Sequence, residues 1–347
     1  LGEVAVPPVP AAAPVPAAAP VPAAAPAAGR RRAAPHEVPE PPAGRPQVRH
    51  LGDRAPTYAG EPGALPTADP AALDGLVPDT VLDGAHYGTY TLRAASLRGD
   101  SARYRGEPRR DHLLTARFGA GDDALVLVVL AGGDRAAPGT AEAAAELCRT
   151  VASAVGRSQE RLAADIRSGH REALRSGLQR LTDRGYGRLR ARAAERGLAE
   201  GAYTAGLRAL LLPVDPQCRT RVCFGAGAGG LFRLRSGEWQ DLEPGGPDRR
   251  GSGPRPEAGG GADAGTPAGD GEGDFRFRAS VARPGDILLL CSGGLAEPMR
   301  EEAALSAELA ARWSAQDPPG LAAFLADAQL RLKGYADDRT AAGVWEA

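Results

Sequence analysis

The chain has 347 residues, enough for two domains or one large one. It is 43% hydrophobic and 24% charged, so it can bury a core, yet its 46 glycines and 31 prolines exceed a fifth of the residues and aromatics are only 5%. This mixture predicts a folded domain that carries long segments without a packed core. The net charge of −1 excludes a general electrostatic attraction to nucleic acid or another polyanion.

The cysteines and the apolar runs both bear on the compartment. Cys148, Cys218, Cys223 and Cys291 form no CxxC pair, and all but Cys218 lie within apolar runs, which is typical of buried structural thiols in a reducing compartment. The longest uninterrupted apolar run has eight residues, 124–131, whereas a spanning helix needs roughly 20. We therefore expect a cytoplasmic protein without a membrane span.

Residues 1–78 are rich in proline, alanine, glycine and arginine and are predicted to form a disordered tail or linker. Residues 8–25 are three copies of PVPAAA, a pattern that favours an extended polyproline-like spacer. The triplet at 30–32, three arginines, permits two interpretations: contact with nucleic acid or anionic lipid, or a solubilising linker. No aromatic residue interleaves it, which favours the linker, and we expect no nucleic-acid partner.

From about Thr80 the pattern becomes that of a folded domain, which we assign to residues 79–347. Two strands are predicted first, over residues 90–97 and 124–131, the second apolar throughout. Apolar residues at helical spacing then predict helices over residues 140–166 and 171–198.

The second predicted helix carries a row of arginines at strict four-residue spacing. Such a row is either a docking surface for an acidic partner or a solvated outer face, and the general arginine bias of the chain favours the solvated face. Gly185 and Gly187 weaken the helix and are a candidate position for a break. The row consists of Arg180, Arg184, Arg188, Arg192 and Arg196.

The rest of the chain predicts mainly strands, and the order of elements indicates an α+β fold. Residues 244–273, nearly all Gly, Pro, Asp and Arg, are predicted to be a disordered insertion. A helix over residues 319–333 and a last strand over 340–345 close the chain. The other predicted strands are residues 206–214, 220–224, 231–235, 275–281 and 286–291.

Six fragments in sequence order resemble the motifs of the metal-dependent (type-2C, PPM) protein phosphatase family, in the form common in actinobacteria. The resemblance extends from about Ser96 to Ala347 and implies an antiparallel β-sandwich of two sheets flanked by helix pairs. The fragments are GDSARYRGEPRRD (99–111), LVLVVLAGG (125–133), YTAGLRALLLPV (203–214), residues 222–237, RPGDILLLCSGGL (283–295) and DDRT (337–340).

The family hydrolyses phosphoserine and phosphothreonine with two Mn²⁺ or Mg²⁺ ions and a bridging water, and these hard cations require a cluster of carboxylates. By resemblance, Asp111 and Asp337 are remnant metal ligands. Four other acidic positions of the family are lost, since they align with Arg110, Gly132, Gly293 and approximately Ala228.

Glycine at 132 and 293 keeps the turns feasible while it deletes the ligands, and Arg110 brings a cation that can bond with Asp111 in place of a metal. For Asp111 and Asp337 themselves, the alternative role is that of turn or capping residues. The sequence therefore favours a degenerate metal site with no expected cofactor and no assigned catalytic residue. Candidate substitute ligands are Asp134, Glu297 and Asp338.

Two functions follow from this interpretation. The first is a pseudophosphatase that acts by binding a phosphorylated protein or a kinase. The alternative is a weakly active serine/threonine phosphatase that depends on Mn²⁺ or Mg²⁺ held by substituted ligands. Either function can use an arginine to hold phosphate, as the family does, and Arg103, Arg105 and Arg109 are the candidates; the alternative for each is a solvated surface position.

Overall fold

In this computed structural model, the structure describes residues 50–71, 73–133, 137, 139–243, 275–315 and 317–347. The strands are β1 (Thr80–His86), β2 (Tyr90–Leu97), β3 (His112–Phe118), β4 (Leu125–Gly132), β5 (Gly206–Pro213), β6 (Thr220–Ala226), β7 (Gly230–Arg235), β8 (Glu238–Asp241), β9 (Arg276–Val281), β10 (Ile287–Cys291) and β11 (Arg339–Glu346). The helices are α1 (Asp100–Arg105), α2 (Thr140–Arg157), α3 (Gln159–Arg167), α4 (Arg171–Glu195), α5 (Gly293–Glu301), α6 (Ala303–Trp313) and α7 (Leu321–Ala328).

The strands form two antiparallel sheets that pack face to face. One sheet has the order β1-β2-β11-β10-β7-β8 and the other β3-β4-β5-β6-β9. Three hydrophobic cores follow: one lies between the sheets, one joins the five-stranded sheet to α2, α3 and α4, and one joins the six-stranded sheet to α5, α6 and α7. The predicted α+β sandwich flanked by helices is confirmed.

Strand β4 shows why the sequence of this sandwich is so apolar. Leu125, Leu127 and Val129 pack against the helices, while Val126 and Val128 face the opposite sheet. Because successive strand residues point to opposite faces and both faces are covered, the strand alternates between two cores instead of between core and solvent.

The helices differ from the predicted ones in where they break. The single helix predicted over residues 140–166 ends at Arg157 and restarts at Gln159, so α2 and α3 are separate. Helix α4 is continuous through Gly185, where a break was a candidate. A β-carbon at Gly185 would lie 2.8 Å from Cδ1 of Leu147, so this glycine lets α4 approach α2 closely.

Several short or polar elements do not follow from the sequence pattern. Strands β1, β3 and β8 lie at or beside sheet edges and carry exposed residues, so they lack a continuous apolar run. Helices α5 and α6 occupy residues for which the sequence predicts no helix. The predicted last helix, residues 319–333, is shorter and spans Leu321–Ala328.

Residues 50–78, which the sequence assigns to the tail, contact the domain at several points. The backbone N–H of Leu51 donates to the carbonyl of Arg331, and the backbone N–H of Ala64 donates to that of Arg103. The ring of Tyr58 lies 5.4 Å from that of Tyr104. The predicted insertion at 244–273 and most of the predicted tail, residues 1–49, lie outside the described residues.

A buried ion pair joins the two sheets at the end of the sandwich where β6 begins and β11 ends. Arg221 donates from Nε and Nη2 to the two carboxylate oxygens of Glu346, both at 2.7 Å, and the two side chains are 1% and 0% exposed. The guanidinium also lies 4.8 Å from the ring centre of Tyr90. Arg221 also donates from Nη1 to the carbonyl of Cys218 at 3.1 Å, and the carboxylate of Glu346 is the negative charge that balances the guanidinium.

We expect Glu346→Gln to lower the free energy of unfolding by about 3 kcal/mol, because it leaves the Arg221 charge buried and uncompensated. The control Glu308→Gln removes a partly exposed partner of Arg312 and should cost less than about 0.5 kcal/mol. Urea unfolding measures both. Equal midpoints for the two variants would contradict the role of the pair, whereas Arg221→Met/Glu346→Leu should regain most of the stability.

Candidate functional site

A cavity of about 660 Å³ opens at the end of the sandwich opposite the Arg221–Glu346 pair. Its walls come from the end of β4, the start of α5 and the turns before β3, before β7 and before β11. The structure thus brings together all the positions that the sequence aligned with the family's acidic residues. These are Arg110, Asp111, Gly132, Ala228, Gly293 and Asp337.

The carboxylate of Asp111 is buried and satisfied within the protein. The residue is 7% exposed, and its Oδ2 accepts a hydrogen bond of 2.9 Å from the hydroxyl of Thr340. The Ser292 hydroxyl also bonds to this carboxylate. Thr340 lies on β11 and Ser292 follows β10, so the carboxylate joins the start of β3 to the opposite sheet.

Gly132 lies directly against the Asp111 carboxylate. A β-carbon built at Gly132 would collide with Oδ1 of Asp111. The Asp111 side chain therefore fills the space that a side chain at position 132 would need. With Asp111 in this position, only a glycine fits at 132.

Asp338 holds the backbone around the cavity. Its Oδ1 accepts from the backbone N–H of Gly99 at 2.7 Å, and its Oδ2 accepts from the backbone N–H of Arg110 at 2.6 Å and of Asp111 at 3.3 Å. Three hydrogen bonds to one carboxylate tie the turn before β11 to the turns before α1 and β3. This structural role was missed by the sequence analysis, which considered Asp338 only as a substitute ligand.

Burial, reinforced by the charge of Asp338, raises the pKa of Asp111 to about 7. The hydrogen bonds from Ser292 and Thr340 and the charge of Arg109 act in the opposite direction. Burial also raises the pKa of Glu297 on the same cavity wall, with Glu301 as the second cause. The fold therefore favours the protonated form of these two carboxyl groups, whereas a bound cation would favour their ionised form.

The side chain of Arg110 does not bond in the way expected from the sequence. Its ion pair is with Glu107, three residues earlier in the chain, with 3.5 Å between Nη2 and Oε2. The bonds with Asp111 expected from the sequence are replaced by this pair. The arginine still places a positive charge at the cavity wall, where the family resemblance implies a glutamate.

Position 293 differs from position 132 because it is open. A β-carbon there would have only Cβ of Ala228 and Oε1 of Glu297 as near neighbours, both at 3.6 Å. The next residue, Gly294, is sterically required, since a β-carbon would collide with the carbonyl oxygen of Asp338. Glycine is thus dictated by packing at 132 and 294 but not at 293.

None of the three arginines considered as phosphate ligands lines the cavity. Arg103 donates to both carboxylate oxygens of Asp79, and Arg105 pairs with Glu107. Arg109 is only 3% exposed, and its Nη1 donates to the carbonyl of Ser96 at 2.7 Å. A solvated surface position is therefore wrong for Arg109, which is a buried residue.

The residues present do not fit a two-metal centre. Asp111 is turned toward Thr340 and Ser292, Asp338 is bonded to backbone N–H groups, and Gly132 leaves no room for another carboxylate beside Asp111. Within the described residues, no group of three or more His, Cys, Asp or Glu side chains is arranged to hold a metal ion. Asp337 and Glu297 line the cavity, and Asp134 lies outside the described residues.

The cysteines of the domain have little access to solvent. All four cysteines are buried and free, and burial raises the pKa of Cys148, Cys223 and Cys291. Within the described part of the chain, no helix is long and apolar enough to cross a membrane.

Comparison with known proteins identifies the family. The model of the family described as protein phosphatase 2C matches residues 98–331, more than half of the chain. The chain therefore belongs to the protein phosphatase 2C family, as the resemblance predicted. A search of curated protein sequences finds no match.

Solved structures share the fold at low identity. A serine/threonine phosphatase of S. agalactiae is 14% identical, with a TM-score of 0.50 over 74% of this chain and 100% of that chain. The Mycobacterium tuberculosis serine/threonine phosphatase PstP/Ppp is 20% identical, with a TM-score of 0.46 over 74% of this chain and 99% of that one. At this identity, the first of these likenesses shows the fold alone.

The contrast between positions 132 and 293 predicts unequal effects of the same substitution. Gly132→Ala should lower the free energy of unfolding by about 1–3 kcal/mol, because the new methyl group displaces the Asp111 carboxylate. Gly293→Ala, at the open position, should change it by less than about 0.5 kcal/mol. Urea unfolding of the two variants is the measurement, and equal losses would contradict the packing described for Asp111.

The raised pKa of Asp111 predicts a pH dependence of stability. Between its ordinary pKa of 3.8 and about 7, the folded state keeps a proton that the unfolded state has lost, so stability falls as pH rises through this window and is level above it. The asparagine of the Asp111→Asn variant is neutral at every pH, so the stability of this variant does not fall with pH for this reason. Its stability relative to the parent should therefore improve by about 1–3 kcal/mol from about pH 4 to about pH 7.

Urea unfolding at several pH values tests this, with Asp122→Asn at an exposed position as the matched control. The control and the parent should show parallel curves. If Asp111→Asn also runs parallel to the parent, the carboxyl is not held in its protonated form by the fold.

Proposed function

We propose that this protein is a phosphatase-like binding domain that does not hydrolyse phosphate through a metal pair. The observation that supports this most is the occupation of the space at Gly132 by the carboxylate of Asp111, which receives its hydrogen bonds from Thr340 and Ser292. A carboxylate can accept such hydrogen bonds and still ligate a cation, but a cation held by Asp111 would have no neighbouring carboxylate at 132 to share it. The scaffold is kept while the ligand geometry is lost.

The proposed partner is a phosphorylated protein or a kinase. Family membership supports a surface adapted to phosphorylated proteins, since the S. agalactiae and M. tuberculosis proteins of the same fold are described as serine/threonine phosphatases. The cavity itself is a poor receptor for phosphate without cations. Five acidic residues line it against one arginine, so it repels an anion: Glu107, Asp111, Glu297, Asp337 and Asp338, with Arg110.

The second candidate function is a weakly active Mn²⁺- or Mg²⁺-dependent serine/threonine phosphatase. One observation favours it, namely that these five acidic residues face one cavity. Asp337, Asp338 and Glu297 would then hold a cation that polarises a phosphoryl oxygen or activates a water. Against it stand the backbone hydrogen bonds of Asp338 and the ion pair between Arg110 and Glu107.

Calorimetric titration of the full chain with Mn²⁺, together with phosphate release from a phosphoserine peptide in excess Mn²⁺, separates the two functions. We expect no saturable binding of two ions and no metal-dependent turnover by the parent. The variant Ala228→Asp/Gly293→Asp restores two carboxylates where the structure has room, and its affinity for Mn²⁺ should rise at least about tenfold.

The matched variants are Asp111→Asn and Asp337→Asn, each compared with the parent in both assays. Under the proposed function, both variants give the same Mn²⁺ titration and the same phosphate release as the parent. Metal-dependent turnover by the parent that either substitution abolishes would overturn the proposal and establish the weak phosphatase.

A further inference from the structure

A second concave surface lies on the outer side of the domain, between α2, the end of α4 and the segment that leads into β1. It has a volume of about 990 Å³, and we call it the basic groove. Six arginines line it against three acidic residues, in contrast to the acidic cavity. They are Arg109, Arg149, Arg157, Arg188, Arg192 and Arg196, against Asp74, Glu142 and Glu146.

The acidic residues of the groove are already paired with α4. Glu146 lies 2.8 Å from Nε of Arg188 and 3.7 Å from Nε of Arg192, and Glu142 pairs with Arg196. This half of the arginine row of α4 is therefore largely neutralised by α2. The sequence pattern left two interpretations of the row, a docking surface or a solvated face. In the structure, its second half forms one wall of the groove.

Two arginines on α2 are not neutralised in this way. Arg149 and Arg157 are exposed, and the described residues place no carboxylate within ion-pair distance of either. They lie two helical turns apart on the same face, with Ser153 between them, and Nη1 of Arg157 donates to Oγ of Ser153 at 2.5 Å. The net positive charge of the groove is concentrated on this strip.

The buried side chain of Arg109 adds a further positive charge to the groove. Arg109 lines the groove, is 3% exposed, and has an Nε without a hydrogen-bond partner among the described residues. Next to it, burial and the charges of Arg149 and Arg109 lower the pKa of His112 to about 4, so this imidazole is neutral at physiological pH. The unpartnered Nε of this buried arginine, in a groove that also holds two exposed arginines outside any ion pair of the described residues, points to an anionic ligand.

The opposite wall of the groove selects the kind of ligand. It is formed by the apolar residues Leu76, Val77 and Pro78, with Leu76 55% exposed. A phosphorylated peptide presents both an anion and apolar side chains, so it can contact both walls. A single-stranded nucleic acid would also need aromatic faces for its bases, and Tyr203 in the groove is buried and packed against Arg196.

We propose that the basic groove, and not the acidic cavity, binds the phosphorylated segment of a partner protein, with Arg149 and Arg157 as the phosphate-binding residues. This deepens the proposed function and rests on it for the class of partner. Arginine is suited to the task because its planar fork donates two hydrogen bonds to a phosphate. The groove lies on the other side of the start of β3 from the cavity, since His112 lines the groove and Asp111 lines the cavity.

Fluorescence anisotropy of the full chain in EDTA tests the proposal. The probe is a labelled ten-residue peptide of glycine and leucine with two phosphoserines four residues apart, compared with its unphosphorylated form and with a ten-nucleotide single-stranded DNA. We expect the parent to bind the phosphorylated peptide at least about tenfold more tightly than either comparison ligand, and Arg149→Gln/Arg157→Gln to lose at least about tenfold.

Two further variants make the result specific. Arg117→Gln/Arg161→Gln removes the same charge from exposed positions outside the groove and should stay within about twofold of the parent. Arg149→Lys/Arg157→Lys keeps the charge but removes the planar fork, and we expect it to bind between the parent and the glutamine variant. Circular dichroism checks that each variant is folded.

The proposal is overturned if the groove and control variants bind equally, if the unphosphorylated peptide binds as tightly as the phosphorylated one, or if the DNA binds as tightly. Because EDTA removes divalent cations, this result is independent of the calorimetric test of the cavity. Arg110→Gln, which removes the arginine of the cavity wall, should bind the peptide like the parent. A loss with Arg110→Gln alone would return the binding site to the cavity.

Discussion

The carboxylate of Asp111 is the interaction on which the functional end of this domain depends. It stands at the start of β3 in one sheet and accepts hydrogen bonds from Thr340 and Ser292 of the other, while Thr340 also bonds to Ser96 at 2.7 Å. In a low-dielectric environment such a network is favourable only when every member is satisfied. Through these bonds the carboxylate joins the two sheets at the cavity end of the sandwich.

The electrostatics of the two concave surfaces follow from this arrangement. The cavity is lined by five acidic residues and one arginine; burial raises the pKa of Asp111 and of Glu297 there, and Asp338 accepts hydrogen bonds from backbone N–H groups. The basic groove has the opposite excess on the other side of the same strand. The two concave surfaces of the domain therefore carry opposite charge.

The buried arginines show how the sandwich tolerates charge in its interior. Arg221 is paired with Glu346 at one end, and Arg208, which is fully buried, lies 3.2 Å from Glu243 near the other. Paired buried ions contribute little net stability compared with apolar residues, but each becomes costly when its partner is removed. They therefore constrain which residues can change at these positions.

The sequence alone determined the class of fold and the family, because buried strands and turns leave continuous apolar runs and fixed short motifs such as those around Gly132, Ser292 and Asp337. It could not determine the edge strands, whose exposed faces carry no apolar pattern, or helix α5, whose short segment contains two glycines and a proline. Only the tertiary structure decided that Asp111 fills the space at Gly132, that Asp338 holds the backbone, and that Arg110 pairs with Glu107. The first two depend on distances between residues far apart in the chain, which no local pattern of residues specifies, and the third depends on the conformation of the segment between α1 and β3.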